Sequence, residues 1–205
     1  MVIPVLISPK PSNRGYRMLV EVKFPNSQAG CTLAHAISWW HPTTNDRIFL
    51  LLYAILNEFK CYWQLPVTSI CGEVYSFIKP FGTSTTKKVI QGASNSGKHF
   101  QSEMEEALEL HKYDEIILWL DDILSHANGP TEILQILAKL FQGWRVNGAK
   151  LSARKWCLFQ TSIKWCGRNI SSGGIAYHPD YIQGIMNMPK PEIVADFQHF
   201  LCALR

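Results

Sequence analysis

The chain has 205 residues, with 20 Lys and Arg against 16 Asp and Glu for a formal net charge of +4, and it is 47% hydrophobic and 12% aromatic. This composition excludes a disordered chain, collagen and a coiled coil, and the length suffices to bury roughly 70% of the unfolded chain's surface in one domain or two interlocked lobes. The six cysteines (Cys31, Cys61, Cys71, Cys157, Cys166, Cys202) hold no CxxC pair and are too sparse for a disulfide scaffold, so they read as free thiols in a reducing compartment, cytoplasmic or nuclear.

The opening MVIPVLISPK lacks a positively charged leading region and is interrupted by Pro4 and Pro9, which argues against a signal peptide. After a turn-rich lead (Pro9, Pro11, Ser12, Asn13, Gly15), the alternation of Tyr16 to Val22 predicts a strand. The longest apolar run, Ile48 to Leu56, has nine residues. A membrane-spanning helix needs about 20, so no membrane partner is expected. Within that run Leu50 to Leu56 fits a buried strand or a short helix equally well.

From Lys98 to Leu110, Phe100, Met104, Ala107 and Leu108 fall at helical spacing among Glu103, Glu105, Glu106 and Glu109, which predicts an amphipathic helix. Pro130 suits the first turn of a second helix, with Ile133, Ile136, Leu137, Leu140, Phe141 and Trp144 as its buried stripe and Gly148 just past its end. Strands follow at Trp156 to Phe159 and Ile163 to Ile170, and Cys157 and Cys166 read as inward-facing residues of adjacent strands. The chain therefore mixes α and β elements.

Two acids interrupt the apolar segment EIILWLDDIL (Glu115 to Leu124). A charge in such a run is costly unless compensated. If Ile116 to Leu120 and Ile123 to Ala127 are the arms of a hairpin, Asp121 and Asp122 sit side by side at its turn and point to opposite faces. One of them then meets a carboxylate from a neighbouring strand, and paired carboxylates with open positions bind Mg²⁺ through hard oxygen ligands. The same pattern also fits a plain acidic turn. From Lys139 to Arg168 there are seven basic residues and no acid, interleaved with Trp144, Trp156, Phe159 and Trp165. Such a stretch suits a nucleic-acid backbone, or an ordinary solvated face. The seven histidines are scattered without zinc-ligand spacing, and SNSGKH (Ser94 to His99) lacks the GxxxxGK spacing of a phosphate loop.

The apolar-x-Asp-Asp pattern resembles the YxDD signature of reverse transcriptases, and other segments match that family in order. GYRMLVEV resembles its fingers strand. FKCYWQLP (Phe59 to Pro66) is similar to the segment after the first catalytic Asp in gypsy-type LTR retrotransposons, and IQGASNSGKHFQ (Ile90 to Gln101) to the PQG motif and the FQ that follows it. NGAKLSARKWCLFQTSIKWCGRNIS (Asn147 to Ser171) resembles the stretch carrying the motif lysine and the primer-grip hairpin, and MPKPEIVADFQHFLCAL the start of the connection toward RNase H.

The resemblance implies an α+β right-hand polymerase: an antiparallel palm sheet backed by helices, with fingers and an incomplete thumb. It places fingers at 1–52 and 67–92, palm at 53–66 and 93–171, and the start of thumb or connection at 172–205, with the RNase H, integrase and protease parts of such a polyprotein left out. It further implies RNA-directed DNA polymerase activity on an RNA or DNA template with a DNA primer and deoxynucleoside triphosphates. Two Mg²⁺ ions, with Mn²⁺ as substitute, activate the primer 3′-hydroxyl and stabilise pyrophosphate.

Residue by residue, Asp121 matches the metal-binding Asp of the pair and Asp122 its companion, while Trp119 and Leu120 occupy the Y and x positions. Arg17 matches the triphosphate-binding arginine, Tyr62 the aromatic that excludes a 2′-hydroxyl, Gln91 and Gly92 the PQG residues near the nucleotide, and Lys155 the lysine that protonates pyrophosphate. One departure stands out: the family reads LDxFKxYWQLP and this chain LNEFKCYWQLP, so Asn57 replaces the first catalytic Asp. An amide oxygen is a weaker Mg²⁺ ligand, and the neighbouring Glu58 faces the other side of a strand. Glu21 replaces a common Asp, and Cys31 to Arg47 departs from the family pattern. Polymerisation is expected to be impaired. The alternatives are a decayed or repurposed copy that at most binds nucleic acid, and an unrelated metal-dependent phosphodiesterase built on Asp121 and Asp122. The tryptophans read more as core than as base-stacking platforms, with Trp165, beside the primer-grip segment, the best candidate for stacking.

Overall fold

The computed structural model describes residues 5–9, 16–20, 52–109 and 114–204. In chain order the strands are β1 (Val5–Pro9), β2 (Tyr16–Val20), β3 (Leu52–Asn57), β4 (Phe77–Lys79), β5 (Gly82–Ser84), β6 (Ile116–Trp119), β7 (Asp122–Ala127), β8 (Cys157–Gln160), β9 (Ser162–Trp165), β10 (Arg168–Ser171) and β11 (Gly174–Tyr177). The helices are α1 (Ser69–Val74), α2 (Ser96–Ala107), α3 (Pro130–Asn147), α4 (Pro179–Met186) and α5 (Val194–Leu204).

An antiparallel sheet in the order β6–β7–β3–β8 forms the centre. The run that periodicity left open is therefore a strand, β3, and its continuous apolarity has a physical cause: β3 is covered on both faces. Ala54 and Leu56, with Ile116, Leu118, Ile123 and Ala127, pack under α2 and α3 against Phe100, Met104, Ile133, Ile136, Leu137, Leu140 and Trp144. Tyr53 and Leu124 face the other way, onto Ile163, Trp165 and Ile170 of the antiparallel β9–β10–β11 meander. The result is a mixed α/β molecule with an antiparallel sheet backed by helices.

Both expected helices form. α3 has Pro130 in its first turn and ends at Gly148, whose φ of 67° closes the helix in the left-handed region that glycine adopts without steric cost. Phe141 is a correction to the buried stripe. It lies 36% exposed beside the rings of Trp144 and Trp156, because it follows Leu140 around the helix and out of the core-facing arc.

The single strand expected over Ile163 to Ile170 is two, β9 and β10. Cys166 and Gly167 take φ of 47° and 77°, the pair of positive values that a two-residue hairpin turn requires. Cys166 is thus an exposed turn residue, not an inward strand residue. Cys157 is exposed as well, since the alternation of edge strand β8 directs Leu158 toward the core. Trp165 is 6% exposed and belongs to the second core cluster, so it offers no stacking face. The lead segment also differs from expectation. Pro9 ends strand β1 and pairs with Tyr16, a strand-end position where its missing N–H is tolerated.

Arg17 lies in β2 opposite Ser8, while its side chain falls outside the described residues. So do Glu21, the segment from Cys31 to Arg47, and His35, His41 and His111. Among the described residues no helix is long and apolar enough to cross a membrane. Ile133 is fully buried between α3 and the sheet. Ile133→Ala is expected to lower unfolding free energy by about 2–5 kcal/mol in urea titrations followed by circular dichroism, whereas Ile182→Ala at the exposed surface changes it by less than about 0.5 kcal/mol.

Candidate active site

Strand register assembles the site. Asn57 ends β3 opposite Asp122, the first residue of β7, and Asp122 pairs on its other side with Trp119 of β6. Leu120 and Asp121 form the tight turn between β6 and β7, with Leu120 at φ 51°. Lys155 closes a short 3₁₀ turn, Ala153–Lys155, that follows α3. This segment is fastened along the end of β3 and the residues after it. The Ser152 N–H donates to the Asn57 carbonyl at 2.8 Å and the Phe59 N–H to the Lys150 carbonyl at 2.9 Å. The Gln64 amide nitrogen donates to the carbonyls of Phe59 and Lys150, and its oxygen accepts from the Lys150 N–H.

Four of the expected site residues meet in one hydrogen-bonded cluster. Asn57 Nδ2 donates to Asp121 Oδ2 at 3.2 Å and to Asp122 Oδ1. Lys155 Nζ donates to Asn57 Oδ1 at 2.8 Å. The two carboxylates therefore do not point to opposite faces: Asp121 sits in the turn, where strand alternation does not apply, and both converge on one amide. The Asn57 nitrogen, not its oxygen, faces the carboxylates. Turning the amide over would set its oxygen against two carboxylates and its NH₂ against an ammonium, making all three contacts repulsive. Burial pushes the Asp122 carboxyl above the usual carboxylate range, opposed by the hydrogen bond from Asn57.

Tyr62 lies beside this cluster. Its ring centroid is 5.4 Å from that of Phe100, and a Cβ built on Gly97 would stand 3.7 Å from the Tyr62 hydroxyl and 3.6 Å from Leu120 Cδ2. Burial first, then the charges of Cys61 and Asp121, raise the Tyr62 hydroxyl's pKa. Gln91 and Gly92 are exposed in the loop ahead of α2, while Ile90 before them is buried. The basic stretch is distributed over several elements. Lys139 and Arg145 lie on α3, Lys150, Arg154 and Lys155 in the segment after it, and Lys164 and Arg168 on the meander, where Lys164 pairs with Asp180 at 3.0 Å.

Hard divalent ions take oxygen ligands. Here two carboxylates face an amide nitrogen, and Lys155 already supplies a positive charge. Among the described residues no group of three or more His, Cys, Asp or Glu side chains is arranged to hold a metal. The residues as they stand do not fit two Mg²⁺ ions, whereas a carboxylate at position 57 would supply the missing oxygens.

Two buried polar residues lie near the site: Gln101, which the sequence reading gave no role, and Glu58, which lies on the face that strand alternation gave it. Gln101 is 3% exposed, and its signal was its place beside Phe100 on the inward arc of α2. Glu58, 2% exposed, points under α3 as its parity requires, and Oε1 accepts from the Trp144 indole N–H at 3.4 Å. Its N–H donates to the Asp121 carbonyl at 2.8 Å. Burial pushes the Glu58 carboxyl up to about 7, with the Asp121 charge adding to the rise and the Trp144 hydrogen bond opposing it.

Two carboxylates thus stand at a hairpin turn in an antiparallel sheet backed by helices. Residues 9–170 match the family model described as reverse transcriptase (RNA-dependent DNA polymerase), and the chain belongs to that family. Its fold is similar to that of the foamy viral protease-reverse transcriptase. The TM-score is 0.78 at 20% identity for a form in complex with double-stranded DNA, over 99% of this chain and 35% of the other. For a complex with an RNA/DNA hybrid it is 0.73 at 20% identity, over 99% of this chain and 27% of that one. A second complex with double-stranded DNA gives 0.76 at 20% identity, over this whole chain and 42% of the other. The chain thus spans between 27% and 42% of the length of these proteins.

Glu58 yields a stability prediction. Its folded pKa of about 7 lies above the ordinary 4.5, so the folded state holds a proton that the unfolded chain releases. Its contribution is fully present below pH 4.5 and is lost as pH rises through 7. Glu58→Gln is expected to remove this decline. Relative to the parent, the variant should gain about 2–3 kcal/mol between roughly pH 4 and pH 8 in urea midpoints.

Proposed function

We propose that the chain is the reverse transcriptase domain of a gypsy-type LTR retrotransposon Pol polyprotein. It binds an RNA or DNA template paired with a DNA primer, and its RNA-directed DNA polymerase activity on deoxynucleoside triphosphates is impaired by Asn57. The observation that carries this reading is the cluster of Asn57, Asp121, Asp122 and Lys155 at the turn of the central sheet. The family membership supports the polymerase class, and the order of the FKCYWQLP, IQG and NGAK segments supports the gypsy-type assignment. The similar foamy viral proteins are bound to double-stranded DNA and to an RNA/DNA hybrid, which supports template–primer as the ligand.

In this reading the fingers are 1–52 and 67–92, the palm 53–66 and 93–171, and 172–205 begins the thumb. Asp121 and Asp122 supply the acidic turn at the primer end, Tyr62 beside it restricts the sugar, and Arg17, Gln91 and Gly92 hold the nucleotide. Lys155, held through Asn57, stands where a pyrophosphate would leave. Mg²⁺, or Mn²⁺ in its place, is the cofactor of this reaction, and Asn57 in place of a carboxylate weakens the site that would hold it. A reducing compartment, cytoplasmic or nuclear, suits the free thiols of Cys61, Cys71, Cys157 and Cys166. The amide nitrogen facing both carboxylates favours a second reading, a non-catalytic copy that keeps nucleic-acid binding alone.

Primer extension on a primed RNA template with Mg²⁺ tests the first reading. Asn57→Asp is expected to exceed the parent by about 100-fold or more, the order of several kcal/mol of restored charge stabilisation. A parent as active as the variant overturns the role given to Asn57, and inactivity of both folded proteins supports the non-catalytic copy. Filter binding of the same template–primer is expected to weaken steeply as salt rises, and an affinity flat in salt would refute phosphate binding.

A further inference from the structure

We propose that Gln101 is a positioning residue that sets the backbone of the Asp121–Asp122 turn from the adjoining helix. A carboxamide in the apolar arc between Phe100 and Met104 is costly unless its hydrogen bonds are made. Gln101 makes them with the turn. Its Oε1 accepts from the Leu120 N–H at 2.8 Å, and its Nε2 donates to the Leu118 carbonyl at 3.0 Å and to Glu105 Oε1 at 2.7 Å. The two backbone groups it holds lie either side of Trp119, at the point where β6 gives way to the turn.

The turn needs such an anchor. Leu120 has φ of 51°, a region that a side chain with a Cβ enters at a steric cost of roughly 1–2 kcal/mol. Leu120 is also the residue before Asp121, so its dihedrals aim the carboxylate. Gln101 fixes the approach to Asp121 through Leu118 and Leu120, while the Glu58 N–H fixes its carbonyl from β3. The turn is thus held from the helix on one side and from the strand on the other, and the helical attachment runs through one side chain.

Amide exchange decides this without reference to polymerase activity. Gln101→Met keeps side-chain length and loses all three hydrogen bonds. The Leu120 amide is expected to exchange at least about 10-fold faster in this variant, while the amides of Ile136 and Leu137 in α3 stay as in the parent. Unchanged Leu120 exchange in Gln101→Met overturns the proposal, as does loss of protection that extends equally to α3. In an Asn57→Asp background that extends primers, Gln101→Met is expected to lower kcat about 10-fold or more with KM for template–primer unchanged. Failure of that background to polymerise counts against the proposed function alone, because the exchange result stands by itself.

Discussion

Strand parity along β3 decides where Asn57 and Glu58, the two polar residues at its end, go. The strand is sandwiched between β7 and β8 and covered on both faces, so its odd and even residues enter different cores. At its end this two-fold alternation meets polar residues. Asn57 falls on the face of Tyr53 and Ile55 and meets Asp122 across the ladder, while Glu58, one residue later, is carried under α3 to Trp144. A slip of one residue would exchange them. It would place a carboxylate at the turn and an amide in the helix-side core, and would also send Leu56 and Ile55 into the wrong layers. The apolar packing therefore forbids Glu58 from standing in for the missing Asp.

Electrostatics in the site follows from that placement. Two carboxylates held within reach of one another raise each other's cost of ionisation, and a divalent ion is one remedy. This chain has another: an amide that donates to both, backed by a lysine on its far side. The lysine arrives because the segment after α3 is stitched to residues 57–59 by backbone hydrogen bonds and by the Gln64 carboxamide. Glutamine carboxamides thus recur as fasteners, Gln64 for the lysine segment and Gln101 for the acidic turn. A carboxamide suits this work because it donates and accepts without bringing a charge into a partly buried place.

Much of the fold was legible because its signals are local. Helical spacing located α2 and α3, and Pro130 and Gly148 marked the ends of α3. What escaped depended on partners distant in sequence. Leu50 to Leu56 became decidable only with strands on both sides, the burial of Trp165 depends on the meander's packing under Tyr53 and Leu124, which is not local, and β1 was hidden by a proline at its end. The acidic turn was legible as a motif, and the substitution at Asn57 as a departure from it. The direction in which the amide points was not, since it depends on Lys155, 98 residues away. Gln101 stood in the quoted FQ segment and drew no role, because a polar residue on a helix is ordinarily solvated.

The amide at position 57 separates durability from chemistry. A reverse transcriptase fold with three carboxylates at its centre holds together most comfortably when cations are bound, and each unneutralised charge is a standing liability to the folded state. Asn57 brings no charge of its own and ties down the two carboxylates, so under the proposed function the residue that impairs the reaction also relaxes the site. Selection for a stable, persistent protein then favours asparagine, while only selection for copying nucleic acid favours aspartate. A lineage released from the second pressure would have no structural reason to return.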